Sequence, residues 1–378
     1  MTIRLGVIRD YRAEGWPSMD LCADELIAAS PGAGADFDVG DVAPEYRRVF
    51  GRVPILGRTR RWRNADRARN RYALLPGHLR GLTGRFDAWH VVDHSYAHVV
   101  DALPAGRTGV FCHDLDAFRC VLEPERDPRP RWYRSLARRV LSGFERAAIV
   151  FVATQAVARE LRERGLTEAR RVVHAPLGVS SEFVPSVAGA APALPWLDAL
   201  ADAPFVLHVG SAIPRKRLDV LLEVFAAVRT ARPDLRLVKV GGEWTREQRD
   251  QLARLGVGGA VVHATGLSRL ELAEVYRRAG AVVVTSDGEG FGLPVVEALA
   301  CGAPVVASDL PALRESGGTA AAFCAVGDVA AFAAAVERAL APRPDDAARA
   351  ERLAWAGRFT WAAHARTILG AYRELLRA

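Results

Sequence analysis

Thr285-Ser286-Asp287-Gly288-Glu289-Gly290-Phe291-Gly292-Leu293-Pro294-Val295-Val296-Glu297 is the stretch on which the reading of this chain turns. The apolar run at 281–285 reads as a buried strand. A glycine-rich turn follows, and Pro294 stands where a helix over 294–300 would begin, a position that favours proline because its missing N–H would have no helical partner anyway. The backbone N–H groups of Phe291, Gly292 and Leu293 would then point out of the helix start, and with the helix dipole they make an anion site suited to a diphosphate. Two carboxylates, Glu289 and Glu297, bracket that site with seven residues between them. Against a phosphate a carboxylate is unfavourable, whereas hydroxyl groups donate hydrogen bonds to it. A phosphate flanked by two polyols is a nucleotide sugar, with ribose on one side and hexose on the other. An E-x7-E spacing alone reads equally well as an acidic rim on a strand-turn-helix. Gly-Phe-Gly-Leu-Pro inside it and Cys301-Gly302-Ala303-Pro304-Val305-Val306 after it make the pattern specific.

Outward from this stretch, short apolar runs alternate with helical patterns, the signature of βα units and parallel sheets. In the second half, strands are expected at 205–210, 235–240, 261–262, 281–285 and 304–307. Helices are expected at 217–231, 270–279, 294–300 and 329–340, then at 347–359 and 361–377. The first half repeats the alternation, with strands at 3–8, 88–92, 108–112 and 148–152 and a helix over 132–144. The chain has 378 residues, which suits two domains. Residues 185–204, rich in Ala and Pro, break the pattern. The expected division is a Rossmann-like domain at 1–185, a linker at 186–203 and a second Rossmann-like domain at 204–360, with the terminal helix 361–378 packing back on the first. Two doubly wound α/β domains facing each other across a deep cleft would place ligands at the C-terminal ends of the strands.

The segment at 285–306 resembles the C-terminal signature of glycosyltransferase family 4, retaining enzymes of the GT-B fold. His208-Val209-Gly210-Ser211 with Pro214-Arg215-Lys216 resembles that family's donor-phosphate loop, and Val240-Gly241-Gly242-Glu243-Trp244-Thr245, Gly266, Glu271-Leu272 and Tyr276 follow in its order. Residues 147–179 resemble the end of its first domain, and the first hundred residues match it only in outline. The resemblance implies that Arg215 and Lys216 grip the donor diphosphate, beside Ser211 and the amides of Phe291, Gly292 and Leu293. It implies Glu297 on the ribose hydroxyls, Glu289 on the donor sugar, His113 beside that sugar, and Gly15 near the diphosphate. Many members carry Arg directly after the glycine at Gly210, where Ser211 stands here, and a glycine pair where this chain has Gly15 followed by Trp16-Pro17. The reaction implied is hexosyl transfer from a UDP- or GDP-linked sugar to an acceptor hydroxyl, with retention and with neither metal nor cofactor. The acceptor class stays open among a sugar, a lipid-linked molecule and a small molecule. An epimerase or hydrolase of the same fold, or a silent nucleotide-sugar-binding protein, stays open as the alternative.

Composition narrows the rest. Lysine occurs only at Lys216 and Lys239, and a compact ammonium at 216 suits a phosphate. Lys239, inside a strand pattern, is expected to snorkel to a sheet edge. His113-Asp114 and Asp93-His94 each follow an apolar run and so fall at strand ends. For His113 the plain alternative is a ring satisfied by a loop carbonyl. Five scattered cysteines suggest free thiols in a reducing cytoplasm. The charged N-terminus does not read as a signal peptide. Net charge is +7, of which residues 1–190 carry +6. Ten arginines at 47–71 read as a solvated face, as a contact with anionic membrane, or as a nucleic-acid patch; the first two are retained and nucleic acid is not expected as a partner.

Overall fold

The computed structural model describes residues 2–52, 59–185, 192–200, 203–341 and 346–377. They form two compact units, residues 1–178 with 361–378 and residues 179–360.

The first unit holds a six-stranded sheet of β1 (Ile3–Ile8), β2 (Phe37–Val42), β3 (Ala88–Val91), β4 (Thr108–Cys112), β5 (Ile149–Val152) and β6 (Val172–His174), in the order β2-β1-β3-β4-β5-β6. The second holds β7 (Phe205–Val209), β8 (Arg236–Val240), β9 (Val261–Ala264), β10 (Ala281–Val284), β11 (Val305–Ser308) and β12 (Ala322–Cys324), in the order β12-β11-β10-β7-β8-β9. Every pairing in both sheets is parallel. Helices on both faces of a parallel sheet bury its central strands twice over, which is why β4, β5 and β10 read as unbroken apolar runs. Val282 and Val283 on β10 are fully buried, and each such side chain contributes roughly 1.5–3 kcal/mol of burial.

Three strands escape the sequence pattern. On β2 only Val42 is buried, so its polar residues sit on an exposed edge. β6 and β12 are three residues each. The division between units falls at 178–179, ahead of the linker expected at 186–203. Residues 186–191 and 201–202 of that linker lie outside the described residues. Between them a short helix, Pro195–Asp198, presents Leu197, which with Leu194 is buried in the core of the second unit. Pro and Ala there mark a packed turn. The helix Trp361–Arg377 belongs to the first unit: Tyr372 donates to the Trp89 carbonyl at 2.7 Å, and Arg373 pairs with Asp36.

The basic segment at 47–71 is partly internal. Arg71 is buried over the Tyr96 ring, 3.9 Å from its centroid, and it and Arg67 pair with Glu14 at 3.7 and 3.3 Å. Arg58 lies outside the described residues. All five cysteines are free and buried.

Candidate functional site

In the second sheet the chain starts at β7, runs outward through β8 and β9, then returns to β10 on the other side of β7. The loops after β7 and β10 therefore diverge at the point where strand order reverses, the position at which open α/β sheets bind ligands. The two decisive motifs follow these two strands.

They are stitched together by backbone. The turn Pro214–Lys216 ends in Arg217, whose φ of 46° makes it the one non-glycine residue with positive φ among those described. Such a conformation persists when its surroundings over-determine it. Here the Thr285 hydroxyl donates to the carbonyls of both Lys216 and Arg217 at 3.0 Å, and the Asp287 N–H donates to the Arg215 carbonyl at 2.9 Å. Residues about seventy positions apart thus form one rigid loop pair.

Within it the Lys216 ammonium donates to Glu289 Oε1 at 2.6 Å, and Ser286 Oγ donates to the same oxygen at 2.7 Å. Arg215 donates to the Gly288 carbonyl at 2.7 Å and lies 3.6 Å from Glu289 Oε2. All three charged side chains are largely buried, Lys216 13% and Glu289 8% exposed. An ammonium has three donors, and Glu289 engages one of Lys216's.

The helix Leu293–Ala300 opens behind a glycine-rich turn. Gly292 caps it with φ 93°, and a Cβ there would stand 2.5 Å from Leu313, so both conformation and space require glycine. Pro294 is the second helical residue, one place later than the sequence suggested. Among the described residues no acceptor meets the N–H groups of Phe291, Gly292 or Leu293. Phe291 is itself buried, edge-on to Phe359.

Glu297 is the fifth helical residue, so it belongs to the second turn and not the first. It is buried and accepts a hydrogen bond from the Tyr276 hydroxyl at 2.9 Å. Burial pushes its carboxyl up to about 7, against the opposing effect of the Tyr276 bond and Arg269. The two glutamates are thus bound to different partners, Lys216 for Glu289 and Tyr276 for Glu297. Tyr276 carries no role in the sequence reading, because a tyrosine at helical spacing reads as core. Ser211 is exposed at the end of β7.

Lys239 is also not where the sequence put it. It is fully buried rather than at a sheet edge. Its ammonium donates to the Gly241 carbonyl at 3.0 Å and to that of Gly242, and lies 5.0 Å from the Trp244 ring centroid.

His113 and Gly15 belong to the first unit. His113 follows β4, half-buried, and its Nε2 pairs with the Val92 carbonyl at 2.9 Å; burial lowers its pKa. Gly15 has φ 74° and open space around a Cβ, so a left-handed turn explains the glycine. In the same unit Asp93 and His94, which the sequence places at a strand end, belong to a buried polar cluster with Asp10, which it did not single out. Asp10, after β1, is buried, with no hydrogen-bond partner for either oxygen among the described residues. Its own burial and neighbouring Asp93 raise its pKa well above the usual range. Against the effect of burial, His94 and His113 hold Asp93 at about 2. The described residues contain no group of three His, Cys, Asp or Glu side chains arranged for a metal ion.

A model of the family described as glycosyl transferases group 1 matches residues 198–355, which contain both site loops. D-inositol 3-phosphate glycosyltransferase of Segniliparus rotundus is 34% identical over 330 residues, covering 81% of this chain and 71% of that protein. O-antigen chain mannosyltransferase B of Escherichia coli is 29% identical over 272 residues, covering 70% and 69%. Among solved structures, sucrose-phosphate synthase from Thermosynechococcus elongatus superposes with TM-score 0.73 at 21% identity over 99% of both chains. Anabaena HepE in complex with UDP-glucose gives 0.65 at 18% over 99% and 97%. These structures share the GT-B fold with this chain. With a relative one-third identical across most of both sequences, and the family model lying over the loops just described, the chain belongs to the group 1 glycosyltransferases.

Proposed function

We propose that this glycosyltransferase moves a hexosyl group from a UDP- or GDP-linked sugar to an acceptor hydroxyl, with retention at the anomeric carbon and without a metal ion or cofactor. The carrying observation is the loop pair at the β7/β10 switch point. It sets Lys216 and Arg215 against Glu289 and ties their turn through the Asp287 N–H to the segment that leads into the helix start, whose three N–H groups meet no acceptor among the described residues. In the reaction the bond between the anomeric carbon and the diphosphate oxygen breaks. The acceptor oxygen bonds to that carbon, and the acceptor's proton leaves with the diphosphate. Negative charge grows on the diphosphate, and preorganised donors aimed there stabilise it. Glu289 and Glu297 serve sugar and ribose hydroxyls. His113 is assigned to the donor sugar and Gly15 to the diphosphate on the family resemblance. The relatives support sugar chemistry: one is a D-inositol 3-phosphate glycosyltransferase, another a mannosyltransferase, and HepE was solved with UDP-glucose. The acceptor of this chain is a sugar, a lipid-linked molecule or a small molecule.

We place the enzyme in the cytoplasm. No described helix is long and apolar enough to cross a membrane. A peripheral contact with anionic lipid would use the arginines at 47–71 that are not engaged by Glu14 or Tyr96.

The test is turnover of UDP- and GDP-sugars in a strong chelator, with the product's anomeric configuration read by NMR. Retained activity and a retained configuration are expected. Loss of activity restored by magnesium or manganese, or an inverted product, overturns the proposal. Sugar release that no acceptor alters would favour a hydrolase.

A further inference from the structure

Lys216 and Lys239 are the only lysines among 51 Lys and Arg residues, and the second is buried with no carboxylate in salt-bridge contact among the described residues. A buried cation needs compensation, and here it comes from dipoles. The Lys239 ammonium donates to the carbonyls of Gly241 and Gly242, with the Trp244 face 5.0 Å away and His263 Nε2 at 3.4 Å. His263 Nε2 lies 2.7 Å from the Gly241 carbonyl, so two side chains hold one turn.

That turn is the wall of the loop after β7. Gly241 has φ 106°, and a Cβ on it would stand 2.6 Å from the Gly210 carbonyl oxygen. A Cβ on Gly242 would stand 3.0 Å from the Ala212 nitrogen. Gly210 N–H donates to the Val240 carbonyl at 2.9 Å, and Gln248 Nε2 donates to the Ala212 carbonyl at 3.3 Å. Backbone thus lies directly on backbone, and the Lys216 stem runs beside Gly210.

We propose that Lys239 is a positioning residue: by drawing the Gly241 and Gly242 carbonyls inward it fixes the backbone at 210–212, and through it the place of Lys216 at the donor diphosphate. This rests on the donor site proposed above. A compact ammonium fits between two adjacent carbonyls where a planar guanidinium would not, which accounts for lysine in a chain that otherwise uses arginine. Burial lowers the Lys239 pKa to about 8, so the device releases in mild alkali. The charged and titratable groups around it are His263 on β9, His208 and Lys216 on the β7 side, and Glu243 on the turn itself. His208 is kept near 4 by burial and stays neutral in that window.

Two measurements on the full chain test this. Amide hydrogen exchange at 210–212, corrected for intrinsic rates, should rise in wild type between pH 7 and pH 9. In Lys239→Met it should be high throughout. UDP and GDP affinity by calorimetry should fall up to tenfold per unit above pH 8 in wild type. In the variant it should be at least tenfold weaker at pH 7 and flat with pH. Exchange at 210–212 that is independent of pH in wild type overturns the proposal, and that limb stands even if the variant folds poorly; exchange unchanged in a folded variant overturns it equally. If neither diphosphate binds wild type while exchange responds as expected, the donor reading fails and the positioning role stands.

Discussion

The two units share one plan, six parallel strands with a point of strand reversal, yet their switch points carry opposite chemistry. After β7 and β10 stand two cations, unpaired N–H groups and glycines that bring backbone close. After β1 and β3 stand Asp10, Glu14 and Asp93, with Arg71 locked over Tyr96. The first set suits an anion of fixed shape. The second is an acidic cluster in which Ser95 already bonds Asp93 and arginines pair with Glu14, leaving Asp10 without a hydrogen-bond partner among the described residues. The difference supports the proposal that diphosphate chemistry belongs to the second unit.

The sharpest test of that contrast is Lys216→Ala. Removing one preorganised charge from a leaving diphosphate should cost about 2–4 kcal/mol in turnover, roughly thirty- to a thousandfold, in a chain that still folds but melts lower because Glu289 loses its buried partner. Steady-state kinetics beside circular dichroism decides it; near-normal turnover would free the diphosphate assignment from this loop.

Next come the two glutamates. Glu297→Gln should weaken UDP or GDP binding about tenfold, the size of one charge-assisted hydrogen bond. Glu289→Gln should leave that affinity unchanged or improve it, because the carboxylate repels phosphate and engages Lys216. It should instead slow use of the intact sugar nucleotide. Equal losses of diphosphate affinity in the two variants would contradict the split.

Buried acids give a pH signature. The folded-state pKa of Glu297 lies near 7, above its ordinary value of 4.5. Its contribution to stability is fully present below about pH 4.5 and is lost as pH rises through 7. At about 1.4 kcal/mol per pKa unit the loss is of order 3 kcal/mol, and Glu297→Gln should abolish it. Asp10 is displaced in the same direction, so Asp10→Asn should also flatten the decline with rising pH, without touching UDP or GDP affinity. Thermal melts from pH 4 to pH 9 measure both; a decline unaffected by either substitution would mean these carboxyls are not buried as described.

The unequal legibility of the halves has the same root. A diphosphate is bound by glycines, a proline and a helix start that must be contiguous in sequence, so residues 285–297 announced themselves. Lys216 stood out because lysine is otherwise absent but for Lys239. The partners that fix the site show no signal of their own: Ser286 meets Glu289 from within the same turn, Tyr276 meets Glu297 from the preceding helix, and Thr285 reaches the Lys216 carbonyl across 69 positions. Each belongs to a type that is ordinary in core or turn. Lys239 was misplaced because a lysine in a strand reads as a surface residue, and only the fold shows the two carbonyls above it. In the first unit Asp10, Glu14, Arg71 and Asp93 are scattered over residues 10–93 and converge through the β1/β3 crossing, which no local spacing records. The strands β2, β6 and β12 were lost to short length or edge exposure.

The central claim is that the loop pair after β7 and β10 activates a nucleoside-diphosphate sugar. The direct measurement is release of UDP or GDP from a panel of sugar nucleotides by wild type and by Lys216→Ala, at matched folded concentration. The account requires at least one UDP- or GDP-sugar to be consumed by wild type and that consumption to fall at least thirtyfold in the variant, as about 2 kcal/mol demands. Consumption of no sugar nucleotide, or equal consumption by both proteins, would contradict it.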